Sequence, residues 1–168
     1  MILKKNKRAL SSVVVTMLLV LLTLTLTGIL YSIINPLVQN NLKKSKICLE
    51  MMDKVELSSS DTCYDNAQKK LLFLVDVKDT ETIDRLDIVI SNNQTQKSIN
   101  LTKTPQTSNG LSYYDSPGAV EMPGKKSGIL YDYTWADTYP PVSIEMIPSI
   151  EGFTCSGSDL ISQIPLCS

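Results

Sequence analysis

Between Val13 and Ile34 the chain reads VVVTMLLVLLTLTLTGILYSII, without a charged side chain. About 20 apolar residues of helix suffice to cross the ~30 Å hydrocarbon core of a bilayer. The apolar positions leave no polar face, so the segment is not the amphipathic helix of a soluble domain. It has to be buried in lipid or among other helices. The hydroxyls of Thr16, Thr23, Thr25, Thr27 and Ser32 do not spoil this, because each can bond back to a carbonyl of its own helix.

Charge is distributed around this segment unevenly. Lys4, Lys5, Lys7 and Arg8 precede it, Lys43, Lys44 and Lys46 follow it, and no acid occurs before Glu50. Cations on both flanks orient the span only weakly toward an inside N-terminus. Paired cysteines and glycosylation-type triplets downstream place the remainder outside. Without the four leading cations the chain carries 12 basic against 17 acidic side chains. A mildly acidic body lacks the clustered Lys and Arg that phosphate contacts demand, so nucleic acid is not an expected partner.

Three fates are open to the segment. A secretory signal would be removed after a shorter apolar core, yet Thr25-Leu26-Thr27-Gly28 is a poor A-x-A-like site and the run continues to Ile34. A permanent signal-anchor would keep everything from Met1. Processing before the helix would use Lys7-Arg8-Ala9-Leu10, where a basic pair and a small residue meet the long uncharged run.

The stretch KKNKRALSSVVVTMLLVLLTLTLTGILYSIIN resembles the class III signal peptide of archaeal type IV pilins and archaellins. The resemblance covers about the first 40 residues well and the rest in outline. It implies that a prepilin peptidase cuts between Ala9 and Leu10, that the helix is retained for assembly, and that the head is a β-sandwich. It also implies a membrane-inserted precursor, self-association into a homopolymer or mixed filament, and a mature protein on the cell surface. Bacterial type IV pilins usually have a Glu at the fifth mature position, where this chain would have Val14. Archaeal members often lack it as well.

Asn35-Pro36 ends the apolar run, and a kink or break is expected there because proline has no amide donor and disfavours helix at the preceding residue. Leu37, Val38 and Leu42 among polar residues can add a turn or two. Beyond Ser45 the pattern shifts to strands. Leu71 to Val77 is a compact apolar run, and Leu86, Ile88 and Ile90 alternate along one face. Short runs at Ile47 to Leu57, Lys97 to Leu101, Ile129 to Tyr133 and Val142 to Ile147 fit further strands. Turn signals separate them at Ser91-Asn92-Asn93, Asn109-Gly110, Ser116-Pro117-Gly118, Pro123-Gly124 and Pro140-Pro141. The expected fold is α+β: one long apolar helix followed by a small antiparallel β-sandwich of immunoglobulin-like layout. The chain would divide into a leader (1–9), a helix with its linker (10–44) and an outer head (45–168).

Cys48, Cys63, Cys155 and Cys167 are an even set in an exported segment, which favours disulfides, with three pairings open. Sequential pairing would close loops of about 15 and 12 residues, each worth roughly 3 kcal/mol. A crossed pairing that ties the C-terminal strand to the first strand is also open. Asn93-Gln94-Thr95 and Asn100-Leu101-Thr102 match the N-glycosylation acceptor pattern at Asn93 and Asn100. Gly28, with the helix threonines, allows close approach of helix backbones and is the expected packing site.

The chain has no histidine, which removes imidazole acid/base catalysis and His-ligated metals. Neither a nucleophile elbow nor a phosphate-binding glycine loop occurs. Asp76, Asp79, Glu81, Asp84 and Asp87 could hold Ca²⁺, but without the Gly and terminal Glu of an EF-hand they read as a solvated strand face. Tyr113, Tyr114, Tyr131, Tyr133, Trp135 and Tyr139 could form a sugar-stacking patch, though such residues more often fill a core. No catalytic residue, metal or cofactor is expected, and the expected role is structural.

Overall fold

The structure, a computed structural model, describes residues 6–51, 54–78, 83–108, 110–155 and 159–167, with side chains from residue 13 onward. The fold is α+β. A single helix, α1 (Asn6–Met51), precedes nine strands: β1 (Val55–Asp65), β2 (Lys70–Val77), β3 (Ile83–Ser91), β4 (Gln96–Thr102), β5 (Leu111–Tyr113), β6 (Ser127–Thr134), β7 (Ser143–Ile150), β8 (Phe153–Thr154) and β9 (Leu160–Ile161). The chain forms two compact units, Met1–Lys43 and Lys44–Ser168.

Proline does not break α1. Pro36 lies inside a helix of 46 residues. Its ring removes one backbone bond, at about 3 kcal/mol in a helix interior, while the turns on both sides stay bonded. Nearby, the Ser32 hydroxyl donates to the Ile29 carbonyl at 2.8 Å and Gln39 donates to the Asn35 side chain at 3.3 Å. The expected strand at Ile47 to Leu57 is likewise two elements. Ile47 and Met51 stand four residues apart, a helical spacing, and both join the hydrophobic cluster of the head. The strand begins only at Val55, after the Lys54 amide has bonded back to the Met51 carbonyl at 3.0 Å.

The head has two antiparallel sheets. One runs β1-β2-β6-β5; the other runs β4-β3-β7-β8, with β9 also paired to β7. In β2, Leu71, Phe73, Val75 and Val77 are fully buried while the residues between them are half-buried. This is the period-two pattern of a strand with one face in a core. Leu86, Ile88 and Ile90 of β3 and Ile144 and Met146 of β7 are buried from the other sheet, and both sets belong to one hydrophobic cluster with Trp135 and Tyr131.

Two features close the head. A tight hairpin joins β7 to β8 at Glu151 and Gly152, both at positive φ (48° and 77°), the backbone of a two-residue primed turn. The C-terminal segment then crosses from one sheet to the other. Ile161 pairs with Ile144 in β7, whereas the Tyr64 amide of β1 donates to the Pro165 carbonyl at 2.8 Å and the Cys167 amide to the Tyr64 carbonyl at 3.0 Å. Asp159 starts this strap, and its carboxylate accepts the Leu57 amide at 2.7 Å.

The disulfides are Cys48–Cys155 and Cys63–Cys167, so the sequential pairing is not the one formed. Their sequence separations of 107 and 104 restrict the unfolded chain more than short loops would, about 4–5 kcal/mol for one such loop by chain entropy. Strand pairing is the reason. The strap brings Cys167 beside Tyr64, and the β7–β8 hairpin brings Cys155 back alongside Pro148, whose carbonyl accepts the Cys155 amide at 2.9 Å.

Candidate functional site

The first unit is helix alone, and its side chains from Val13 to Lys43 are all exposed. Leu18, Leu22, Leu26, Ile29 and Ile33 are each more than half exposed, with Leu22 at 66%. Monomeric soluble domains rarely leave so much contiguous apolar surface open. From Val13 to Leu42 there is no charge, and α1 is long and apolar enough to cross a membrane. Its threonine hydroxyls are satisfied within the helix: Thr16 donates to Val13 O at 2.9 Å, Thr23 to Val20 O at 2.8 Å, Thr25 to Leu22 O at 2.9 Å and Thr27 to Thr23 O at 2.7 Å. They are therefore compatible with an environment that offers no water. Nothing lies within 4 Å of a Cβ built on Gly28, which leaves a notch open to a neighbour. Ala9 and Leu10 belong to α1 by backbone, but their side chains, and residues 1–5 altogether, lie outside the described structure.

On the head, the late aromatics fill the core instead of forming a patch. Trp135 is fully buried and its indole donates to the Tyr139 carbonyl at 2.7 Å. Lys97 Nζ lies 4.8 Å from the Trp135 ring centroid. Tyr131 stacks between Phe73 and Tyr113, at centroid distances of 5.5 and 5.9 Å. The Tyr131 hydroxyl donates to the Glu121 carbonyl at 2.5 Å, and burial, above all, pushes its ionisation well above the usual phenol range. Only Tyr114 and Tyr139 of the group are largely exposed. Alternation in β6 explains this, since Tyr131 and Tyr133 are two residues apart and share a face.

The acidic cluster is dispersed. Asp76 lies in β2, while Asp84 and Asp87 lie in β3 of the other sheet; Asp79 and Glu81 are outside the described residues. Asp87 pairs with Arg85 at 2.9 Å, and Asp84 accepts the Gly152 amide at 3.4 Å. Among the described residues no three metal-ligating side chains come together. Asn93 and Asn100 are both exposed. Asn93 follows the Asn92 side chain, whose Oδ1 caps the β3–β4 turn by accepting the Gln94 and Thr95 amides at 2.8 and 2.6 Å. Asn100 lies in β4, the edge strand, opposite Asp87.

Some of the head's polar design has no signature in the sequence. Asp132, almost fully buried, accepts from Lys70 at 2.5 Å and from Ser112 at 2.6 Å, linking three strands of one sheet. Its position in an alternating run gives no hint of partners 62 and 20 residues away. A groove of about 300 Å³ lined by Tyr64, Pro140, Pro141, Val142, Ile164 and Leu166 also arises only when the strap closes. Proline pairs and single apolar residues signal turns, not a shared surface. No family model, no curated protein and no solved structure matches the chain.

Proposed function

We propose that this chain is a pilin-like structural subunit of an archaeal type IV pilus-type surface filament, polymerising through α1 and presenting the head outward. What carries this reading is the uncharged surface of α1, exposed on all sides from Val13 to Leu42 and preceded directly by Lys7-Arg8-Ala9. After loss of the leader such a helix can leave lipid only for a bundle of like helices. The gain from hydrophobicity is small in that transfer, so close packing has to supply the preference, and the open notch at Gly28 suits it. The strand order β1-β2-β6-β5 beside β4-β3-β7-β8 follows the A-B-E-D and C′-C-F-G order of immunoglobulin-like sandwiches. That order supports an immunoglobulin-like head. Two long-range disulfides and two exposed acceptor asparagines suit an outer surface, and adhesion is the role such a coat would serve.

The test joins processing to assembly. Intact mass of membrane-extracted protein should show the loss of residues 1–9, and Gly28→Ile should keep membrane abundance while reducing filaments seen by electron microscopy. A full-length species, or one cut near Gly28, would sink the pilin reading of the leader. One observation favours a second reading, a single-pass anchored ectodomain that does not polymerise. Cations flank the span on both sides, at Lys7 and Arg8 and at Lys43, Lys44 and Lys46, as suits a helix that stays in a bilayer. An intact Met1 and no filaments in a host expressing its assembly genes would favour it.

A further inference from the structure

The two disulfides of the head are not equivalent. Cys155 is 4% exposed and belongs to the hydrophobic core, and Cys48 packs against that core. Cys63 and Cys167 are both half-buried and lie outside it. A thiolate has to reach a sulfur atom to break a disulfide, so exchange depends on access. Access favours Cys63–Cys167 over Cys48–Cys155, whose Cys155 end sits among core side chains.

The strap that Cys167 fastens, from Asp159 to Cys167, is held by little else. None of its side chains is buried, and Leu160 and Leu166 stand 55% and 69% exposed. Only Ile161 and Ile164 pack against the core, from half-buried positions. Its seat is otherwise polar. The Asp159 carbonyl accepts the Met146 amide at 2.9 Å, its carboxylate accepts the Leu57 amide at 2.7 Å, and the Ile164 amide donates to the Val142 carbonyl at 3.2 Å. Pro165 and Cys167 bond the Tyr64 amide and carbonyl. Such bonds exchange with water for a small net gain, while every ordered residue of the strap costs backbone entropy. The core is built without the strap, since the fully buried Phe73, Ile88 and Ile144 come from β2, β3 and β7.

We propose that Cys63–Cys167 is a redox latch: reduction by an external dithiol releases the strap, while the rest of the head stays folded and Cys48–Cys155 stays closed. In that step the bond between Cys63 and Cys167 breaks and both leave as thiols, taking the two protons of the dithiol. The dithiol's own sulfurs join as its disulfide, so two electrons pass to the protein. Release matters because of what the strap covers. β1 is an edge strand of its sheet, and the strap bonds its outward amides at Leu57 and Tyr64. An edge with unpaired amides and carbonyls is a template for pairing with another chain. The closed latch caps that edge and the open latch bares it. Opening also dismantles the groove beside Tyr64, because Ile164 and Leu166 form part of its lining. The device belongs to the head alone and serves an anchored ectodomain as well as a filament subunit.

The full chain in detergent, with both disulfides formed, is treated with rising dithiothreitol, alkylated and read by peptide mass. Hydrogen exchange is measured on the same samples. Cys63 and Cys167 should label at concentrations that leave Cys48 and Cys155 unlabelled. In that state the amides of Leu57, Tyr64 and Met146 should lose their protection, and those of Phe73 and Ile88 should keep it. Cys63→Ser combined with Cys167→Ser should give the same exchange pattern without reductant. Should that variant fail to fold, the partly reduced native chain decides alone, because it is opened after folding. Labelling of all four cysteines together, or of none before denaturation, would overturn the proposal. So would reduction that leaves Tyr64 protected, or a loss of protection that extends to Phe73 and Ile88.

Discussion

The two units put the same kinds of side chain to opposite uses. In α1, leucines and valines from Val13 to Leu42 are open on every side; in the head, Leu71, Phe73, Ile88 and Ile144 are completely buried. Both regions are regular secondary structure. The difference is that a β-strand hides one face against a second sheet, whereas a lone uniformly apolar helix has no element of its own to cover it. The head supplies its own solvent-free core, whereas the apolar side chains of α1 are exposed and have no such core around them. Stability is therefore an internal property of the head and an environmental property of the helix.

Paired truncations give the largest test of that contrast. Phe73→Ala should destabilise the head by about 3–5 kcal/mol, because it removes a buried ring and leaves a cavity under Tyr131. Leu22→Ala should leave the head's denaturant midpoint unchanged, since that side chain is exposed and does not belong to the head's core. Chemical denaturation of both variants in detergent checks it, and a comparable loss from Leu22→Ala would erase the distinction between the units.

The junction sharpens the contrast with a smaller effect. Cys48→Ser with Cys155→Ser should cost the head about 2–4 kcal/mol and free the last turn of α1. Hydrogen exchange should then rise at residues 47–51 and stay unchanged from 13 to 34. Protection lost along the whole helix would mean that the disulfide, and not the surroundings, maintains α1.

The smallest expected effect is confined to the head and depends on pH. Hydrogen bonds from Thr95 and Lys97, and then the Lys97 charge, hold the Asp137 carboxyl below its ordinary value of 3.8. A depressed pKa contributes stability that is fully present above that ordinary value and is lost as pH falls through the lower, folded one. Acidification below 3.8 should therefore loosen the contact between the β3–β4 turn and Asp137 slightly, and Asp137→Asn should flatten this part of the stability profile. The helix has no acid before Glu50 and should show no matching change in helicity.

A good share of the fold was legible in the residues. Short apolar runs bounded by turn signals located β2, β4, β6 and β7, and alternation located β3, because both patterns are local properties of a strand with a face in a core. Elsewhere local signals competed with distant ones. Pro36 reads as a stop, yet the helix passes through it, and Ile47 to Leu57 reads as one strand although packing of Ile47 and Met51 keeps its first part helical. The Glu151-Gly152 turn lacks the Asn-Gly or Asp-Gly signature of such hairpins, with glycine at only one of its two positive-φ positions.

What the sequence by itself determined is the uncharged helix, its basic flanks, the alternating strands of the head and the absence of imidazole chemistry. Each depends on side-chain type at short spacing. Only the tertiary structure decided which cysteines join, where Asp132 finds Lys70 and Ser112, and how the strap from Asp159 to Cys167 spans both sheets. Those are contacts between residues from 20 to more than 100 positions apart. Strand register sets them, and register emerges from the fit of whole sheets around one core instead of from any single segment.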